Sequence, residues 1–210
     1  MLKKTFQSLL DFLLPISCLG CGQYKHLICR KCLTAIKIES ATVQTNDLTV
    51  LVSADYANPL VAKLIKTMKY QGCLQLAVEL AYLLSERLKI SGLQTTLLMP
   101  IPLHPRRHKR RGYNQSIELA KALGNLQDLT VNQDLVRIKN TASQAKLNRV
   151  QRLRNMQAAF VYQGPSLENK HILLIDDVLT TGATIEAASQ AIKKAGAASV
   201  SALVIAKNDL

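Results

Sequence analysis

Tryptophan is absent from the 210 residues, and aromatic side chains make up only 4% of them. No broad aromatic platform for stacking bases is therefore advertised. No apolar run reaches the length of a transmembrane helix. Neither Gly-x-Gly-x-x-Gly nor Gly-x4-Gly-Lys-Ser/Thr occurs, which removes the dinucleotide fingerprint and the P-loop. Acidic residues are scarce, 14 against 27 Lys and Arg, for a formal net charge of +13. From His104 to Arg154 there are 12 basic and 3 acidic residues, so +9 of that charge sits in one segment. Such a local excess favours polyphosphate, nucleic acid or an anionic membrane surface; the bland alternative is a solvated face. A hydrophobic content of 48% fits one well-filled globular domain with a small appendage.

The stretch around which the chain is organised runs from Lys170 to Thr184. Ile172 to Ile175 is a continuous apolar run, as in a strand buried on both faces of a parallel sheet. It leads into Asp176 and Asp177. A loop of small and hydroxylic residues follows, Thr180, Thr181, Gly182, Ala183 and Thr184, and then a helix-period segment to Ala195. Open α/β sheets bind ligands at such strand ends. Backbone N–H groups of the loop can converge on an anion at the positive end of the next helix. Gly182 permits close approach, and the threonines add hydroxyl donors. Two ionised carboxylates accept only, which suits the neighbouring hydroxyls of a ribose. The competing reading is a buried strand with an incidental acidic turn.

Near the N-terminus, Phe6, Leu9, Leu10, Leu13 and Leu14 form one apolar stripe on a helix. Basic residues precede them as in a signal peptide, but Asp11 interrupts the run and no small-x-small cleavage site follows. Next comes Cys18-x2-Cys21-x7-Cys29-x2-Cys32. Two Cys-x2-Cys knuckles on a turn-forming background bring four thiolates within tetrahedral reach of one structural Zn²⁺. A pair of disulfides and a redox-active Cys pair are the alternatives.

Leu48–Val52 reads as a strand, and Asn58-Pro59 as a helix start. That helix carries Lys69 and ends near Gly72; a second runs from about Leu74 to Lys89 and closes at Gly92. Residues 97–102 read as an apolar strand whose prolines suggest an edge or terminus. A loop with five cations follows: His104, Pro105, Arg106, Arg107, His108, Lys109, Arg110, Arg111 and Gly112. Arginine grips phosphate bidentately and lysine as a point charge, so this loop suits a polyphosphate tail. A helix then extends to about Leu123. Short strands are expected at 135–138, 159–162 and 199–206. Between Arg137 and Arg154 lie six basic residues and no acid, which suits a loop closing over bound phosphate or a solvated basic helix. Strands alternating with helices predict an α/β fold with a parallel-rich sheet covered on both faces.

The 172–184 stretch closely resembles the PRPP-binding motif of type I phosphoribosyltransferases. The four-cysteine knuckle, the Lys69-Tyr70-x-Gly72 segment, the run from Pro100 through His104 and Arg107 to Arg111-Gly112-Tyr113-Asn114-Gln115, and the spacing of Thr141, Gln144, Arg152 and Asn155 resemble the ComF family. These are proteins of naturally transformable bacteria and their relatives. The resemblance implies a type I phosphoribosyltransferase-like domain over about 50–210, preceded by an amphipathic helix and a zinc-ribbon-like knuckle over 1–40. It further implies PRPP or a related ribose-phosphate bound with Mg²⁺. Asp176 and Asp177 would hold the ribose hydroxyls, and 180–184 the 5′-phosphate. His104, Arg106, Arg107 and Arg111 would meet the pyrophosphate. The surplus cations Lys109, Arg110, Lys146, Arg149, Arg152 and Arg154 leave room for single-stranded DNA. A role in natural competence is implied, with DNA-uptake proteins as partners and a cytoplasmic location that includes the inner face of the membrane. If the protein is an enzyme, pyrophosphate leaves the ribose C1′. The rivals are a non-catalytic nucleic-acid-binding module on this fold and a nucleotide-salvage enzyme.

Overall fold

The computed structural model describes residues 16–45, 48–139 and 159–208. Its centre is a five-stranded sheet in the order β1-β2-β7-β6-β3, built from β1 (Thr42–Thr45), β2 (Leu48–Asp55), β3 (Leu97–Pro100), β6 (His171–Leu179) and β7 (Ser199–Lys207). Only β1 runs antiparallel to its neighbour; the other pairings are parallel. β4 (Leu135–Arg137) and β5 (Phe160–Tyr162) form a separate antiparallel pair. The parallel-rich α/β sheet expected from the alternation of elements is the one observed.

Alternation along β6 explains why the sheet is covered twice. Leu173 and Ile175 point into one apolar cluster, together with Leu51, Leu203 and Ile205. That cluster is completed by α2 (Pro59–Tyr70), α3 (Leu76–Ser91) and α5 (Gln115–Gln127). Ile172 and Leu174 point the other way, with Val50, Val52 and Val204, onto α6 (Ala183–Lys194). The period of two thus gives a strand apolar on both faces. Cys18, Ile28, Cys29 and Ile36 join the first cluster, so the cysteine segment, with its short α1 (Arg30–Thr34), packs on the main core. Arg87 of α3, 1% exposed, donates to the carbonyls of Val52, Ser40 and Ala41 and ties the following linker down.

Local chemistry sets the helix ends. The Asn58 side chain accepts from the Leu60 and Val61 N–H groups, with Pro59 at the first helical position. Gly92 closes α3 at φ +62. Two expectations need correction. The cationic segment after β3 is not a loop but a helix, α4 (Pro105–Arg111). His104 Nδ1 accepts from Arg106 N, Pro105 starts the turn, and Gly112 ends it at φ +85. The central strand also does not end at the acid pair. It continues to Leu179, because β7 pairs with it as far as Leu179 opposite Lys207. On its other edge, β3 stops at Pro100 opposite Ile175. Asp176 and Asp177 therefore sit on a strand paired on one side and open on the other. Among the described residues no helix is long and apolar enough to cross a membrane.

Candidate functional site

The chain leaves β3 toward α5 on one face of the sheet and leaves β6 toward α6 on the other. The crevice between these neighbouring strand ends is a topological switch point, where open sheets take ligands. A cavity of about 180 Å³ lies there, lined among others by Lys69, Arg107, Arg111, Arg137, Asp176, Asp177 and Thr184.

The two acids are not equivalent. Asp177 is buried and accepts from Lys69 Nζ on Oδ1 at 2.9 Å and from Gln115 Nε2 on Oδ2 at 2.8 Å. Asp176 is half-buried, and its Oδ1 accepts from Ser116 Oγ and from the Asp177 N–H, both at 2.9 Å. Burial and the adjacent Asp177 charge push Asp176 up to about 7, against its hydrogen bonds and Lys69. Burial opposes the charge on Lys69, but Asp177 prevails and its pKa is raised. Gln115 and Ser116 reach the acids because Asn114 caps α5: its Oδ1 accepts from Ser116 N while its Nδ2 donates to the Ile101 carbonyl. The first turn of α5 thereby aims an amide, a hydroxyl and a positive helix end at the carboxylates.

Facing the acids are cations from two elements. Arg107 and Arg111, four residues apart on α4, share the face that lines the cavity. Arg137 of β4 is buried, with its guanidinium 5.5 Å from the Phe160 ring centroid. Burial and Arg107 bring its pKa down to about 10, Asp176 pulling the other way, so it remains a cation at neutral pH. Burial and Arg137, Arg106 and Arg107 lower His104, which keeps it neutral, as its accepting Nδ1 requires. The predicted phosphate loop lies at the same sheet end. Asp176, Thr180, Gly182 and Thr184 line a small adjoining pocket. Gly182 takes φ +81, and a Cβ there would stand 3.2 Å from Thr45 Cγ2. Thr180 is exposed, Thr181 half-buried, and Ala183 starts α6 with no side-chain cap on its first turn.

Distant from this cleft in sequence, the Sγ atoms of Cys18, Cys21, Cys29 and Cys32 all lie within 4.8 Å of one another and could hold a metal ion. Cys21 and Cys29 sulfurs are 3.6 Å apart, far beyond disulfide length. A Cβ on Gly20 would come within 2.8 Å of Cys32 Sγ, so the knuckle closes only around glycine. Burial alone would raise the Cys18 thiol, but backbone N–H groups of Cys21, Cys29 and Gly20 bring it down to about 6. Cys29, burial and the other thiols push Cys32 up to about 12. Four sulfurs so close cannot all ionise without a cation among them, which is the chemistry of a metal site.

Of the other predicted residues, Arg106, Lys109 and Arg110 are exposed and absent from the cavity lining. Lys146, Arg149, Arg152 and Arg154 lie outside the described residues, as does the N-terminal amphipathic stretch. Sequence reasoning assigns no site role to Lys69 or Ser116, and Arg137 enters only as the start of the basic 137–154 segment. The Lys-Tyr-x-Gly pattern was the one available signal for Lys69.

The model of the phosphoribosyl transferase domain matches residues 70–209. The DNA utilization protein YhgH of Escherichia coli K12 is 33% identical over 192 residues, covering 87% of this chain and 80% of that protein. Competence protein F of Haemophilus influenzae is 28% identical over 187 residues, covering 85% and 79%. The chain belongs to the ComF family. Not every ComF-family match is so extensive: YhgH of Salmonella typhimurium, 35% identical, aligns over 70% of this chain but 66% of its own length. Among solved structures, glutamine PRPP amidotransferase from B. subtilis covers 61% of this ComF-family chain and 25% of its own, at 15% identity and a TM-score of 0.43, too loose an overlap to carry weight.

Proposed function

We propose that the cleft binds PRPP or a related ribose-phosphate with Mg²⁺, and that the protein handles single-stranded DNA in natural competence. The observation that carries this reading is the joining of Asp176 and Asp177 to Arg107, Arg111, Arg137 and Thr184 around one cavity. Acids suit ribose hydroxyls, and cations suit a pyrophosphate. Both bonds to Asp176 fall on Oδ1, so Oδ2 is the oxygen a ligand would reach. Residues 180–184 would take the 5′-phosphate at the start of α6. Arg107 and Arg111, with His104 beside them, would meet the pyrophosphate. Mg²⁺ characteristically combines one or two carboxylates with ligand phosphates, a donor set this cleft matches. If the ligand turns over, the same cations stabilise the departing pyrophosphate as positive charge develops at C1′.

Zn²⁺ in the four-cysteine site would be structural, since four sulfurs leave no open position. The names of the relatives, DNA utilization and competence, support the DNA half, and handling of incoming DNA would place the protein in the cytoplasm. The DNA half is supported also by the exposed cations outside the cavity lining, Arg106, Lys109 and Arg110, and by the sequence cluster of Lys146, Arg149, Arg152 and Arg154. Calorimetry of Mg²⁺-PRPP binding to wild type and to Asp176→Asn/Asp177→Asn tests the cleft. Loss of binding in a chain that still folds is expected, with a lowered melting temperature because Lys69 loses its partner; unchanged affinity in the double variant defeats the assignment. Titration with single-stranded DNA across salt tests the outer face, with a log–log slope of roughly −0.7 per neutralised phosphate.

A further inference from the structure

The last turn of α2 reads Lys69-Tyr70-Gln71-Gly72, and its first two side chains diverge. Lys69 turns into the cleft and pairs with Asp177. Tyr70 turns out and is 75% exposed, more than any other large hydrophobic among the described residues. The ring is nevertheless held. The Arg111 guanidinium lies over it at 5.7 Å from the centroid. The turn beneath is pinned, because Tyr113 Oη donates to the Met68 carbonyl and Gln71 N donates to the Thr67 carbonyl. Gly72, at φ +69, then takes the chain away without covering the ring. Arg111 closes α4, whose exposed residues include Arg106, Lys109 and Arg110. A seven-residue helix is about 10 Å long, so these cations and the ring occupy one small region at the rim of the cleft.

A fixed, open aromatic face beside clustered cations is the pairing that grips single strands: cations follow the phosphates while a ring takes a base. We propose that Tyr70 is a base-stacking anchor for single-stranded DNA, with one base lying on its open face and the backbone passing over Arg106, Lys109 and Arg110. This rests on the DNA half of the proposed function and names the group that grips a base. Arg111 both lines the cleft and covers the ring, so a phosphate ligand drawn to Arg111 and a base stacked on Tyr70 share one contact.

The test compares an unstructured oligonucleotide with the same strand made abasic, by fluorescence anisotropy on the full zinc-loaded chain. Wild type is expected to prefer the base-bearing strand. Tyr70→Ala is expected to lose roughly 5- to 150-fold in affinity for that strand and to bind both strands alike. Its salt slope should match wild type, because no phosphate contact is removed, and Tyr70→Phe should restore the preference. If Tyr70→Ala keeps the preference for bases, the anchor lies elsewhere and the proposal is wrong although the DNA reading stands. If wild type binds both strands equally while free adenine competes only in the presence of Tyr70, the ring serves a small acceptor and the proposal is again wrong. If wild type binds neither strand, the DNA half of the proposed function falls and the anchor falls with it.

Discussion

Lys69→Met removes the cation from a buried ion pair while keeping an unbranched side chain of similar length. The Asp177 carboxylate, 6% exposed at the side chain, is then left with the Gln115 amide and a second acid next to it. Removing one partner from a buried pair costs about 3–5 kcal/mol, chiefly because the surviving charge is stranded. The lower end applies, since the Lys69 side chain keeps 19% exposure and water can partly follow. For a chain of this size each kcal/mol moves the melting temperature by roughly 2–4 °C, so about 3 kcal/mol predicts a fall of about 6–12 °C. Asp177→Asn in the same chain removes the stranded charge and should recover most of that loss. Scanning calorimetry of wild type, both single variants and the double variant at neutral pH gives the coupling directly. A Lys69→Met melting temperature within about 2 °C of wild type, or no rescue by Asp177→Asn, would refute the view that Lys69 holds the acid pair together.

Three further outcomes follow from other parts of the molecule. Cys21→Ser should abolish stoichiometric zinc in metal analysis and lower the stability of the whole chain, because Cys18 and Cys29 sit in the same cluster as α2 and α3. Gly182→Ala places a Cβ at φ +81 and 3.2 Å from Thr45 Cγ2; a cost of about 1–2 kcal/mol and weakened PRPP binding by calorimetry are expected. Asp176 rises from an ordinary 3.8 to about 7, so the folded chain holds this proton more tightly than the unfolded one. The resulting stability is complete below the unfolded value and is lost as pH rises through the folded one. The melting temperature of wild type relative to Asp176→Asn should therefore fall between about pH 4 and 7 and stay level above that; a flat difference would contradict the assignment.

What could be read from the sequence was whatever local pattern determines. The Ile172–Ile175 run marks a doubly buried strand because burial on both faces demands continuous apolarity, and Asn58-Pro59 and Gly92 mark helix ends because caps are local chemistry. The cysteine spacing likewise brought four sulfurs together as expected. The misreadings arose where a neighbour decides. Nothing in 172–179 shows that β7 keeps pairing as far as Leu179 while β3 stops at Pro100. The 104–112 segment carries cap signals at both ends, His104-Pro105 and Gly112, but its charge density argues locally for a loop. Ser116 carries no local signal of a site role, and Lys69 and Arg137 stand in suggestive segments without a partner that the sequence names. Each acts across the fold, 108 residues away in the case of Lys69 and Asp177, and sequence spacing carries no trace of that approach.

That approach in turn explains the order of residues after β3. Two adjacent carboxylates on a half-paired strand would repel each other and leave the strand end unstable. Arg111-Gly112-Tyr113-Asn114-Gln115-Ser116 answers this in six consecutive residues. Gly112 ends α4 in a left-handed turn, and Asn114 starts α5 while gripping the Ile101 carbonyl. Gln115 and Ser116 then supply one donor to each acid, and Tyr113 anchors the α2 turn that brings Lys69. Lys69 pairs with Asp177, and Asp176, buried beside that carboxylate, holds its proton to about pH 7. A cation or phosphate-bound metal arriving at Asp176 would displace that proton, so ligand binding below neutral pH must compete with protonation at this one carboxylate. The segment that presents Arg111 to the cavity is thus the same segment that sets how readily Asp176 would accept a cation.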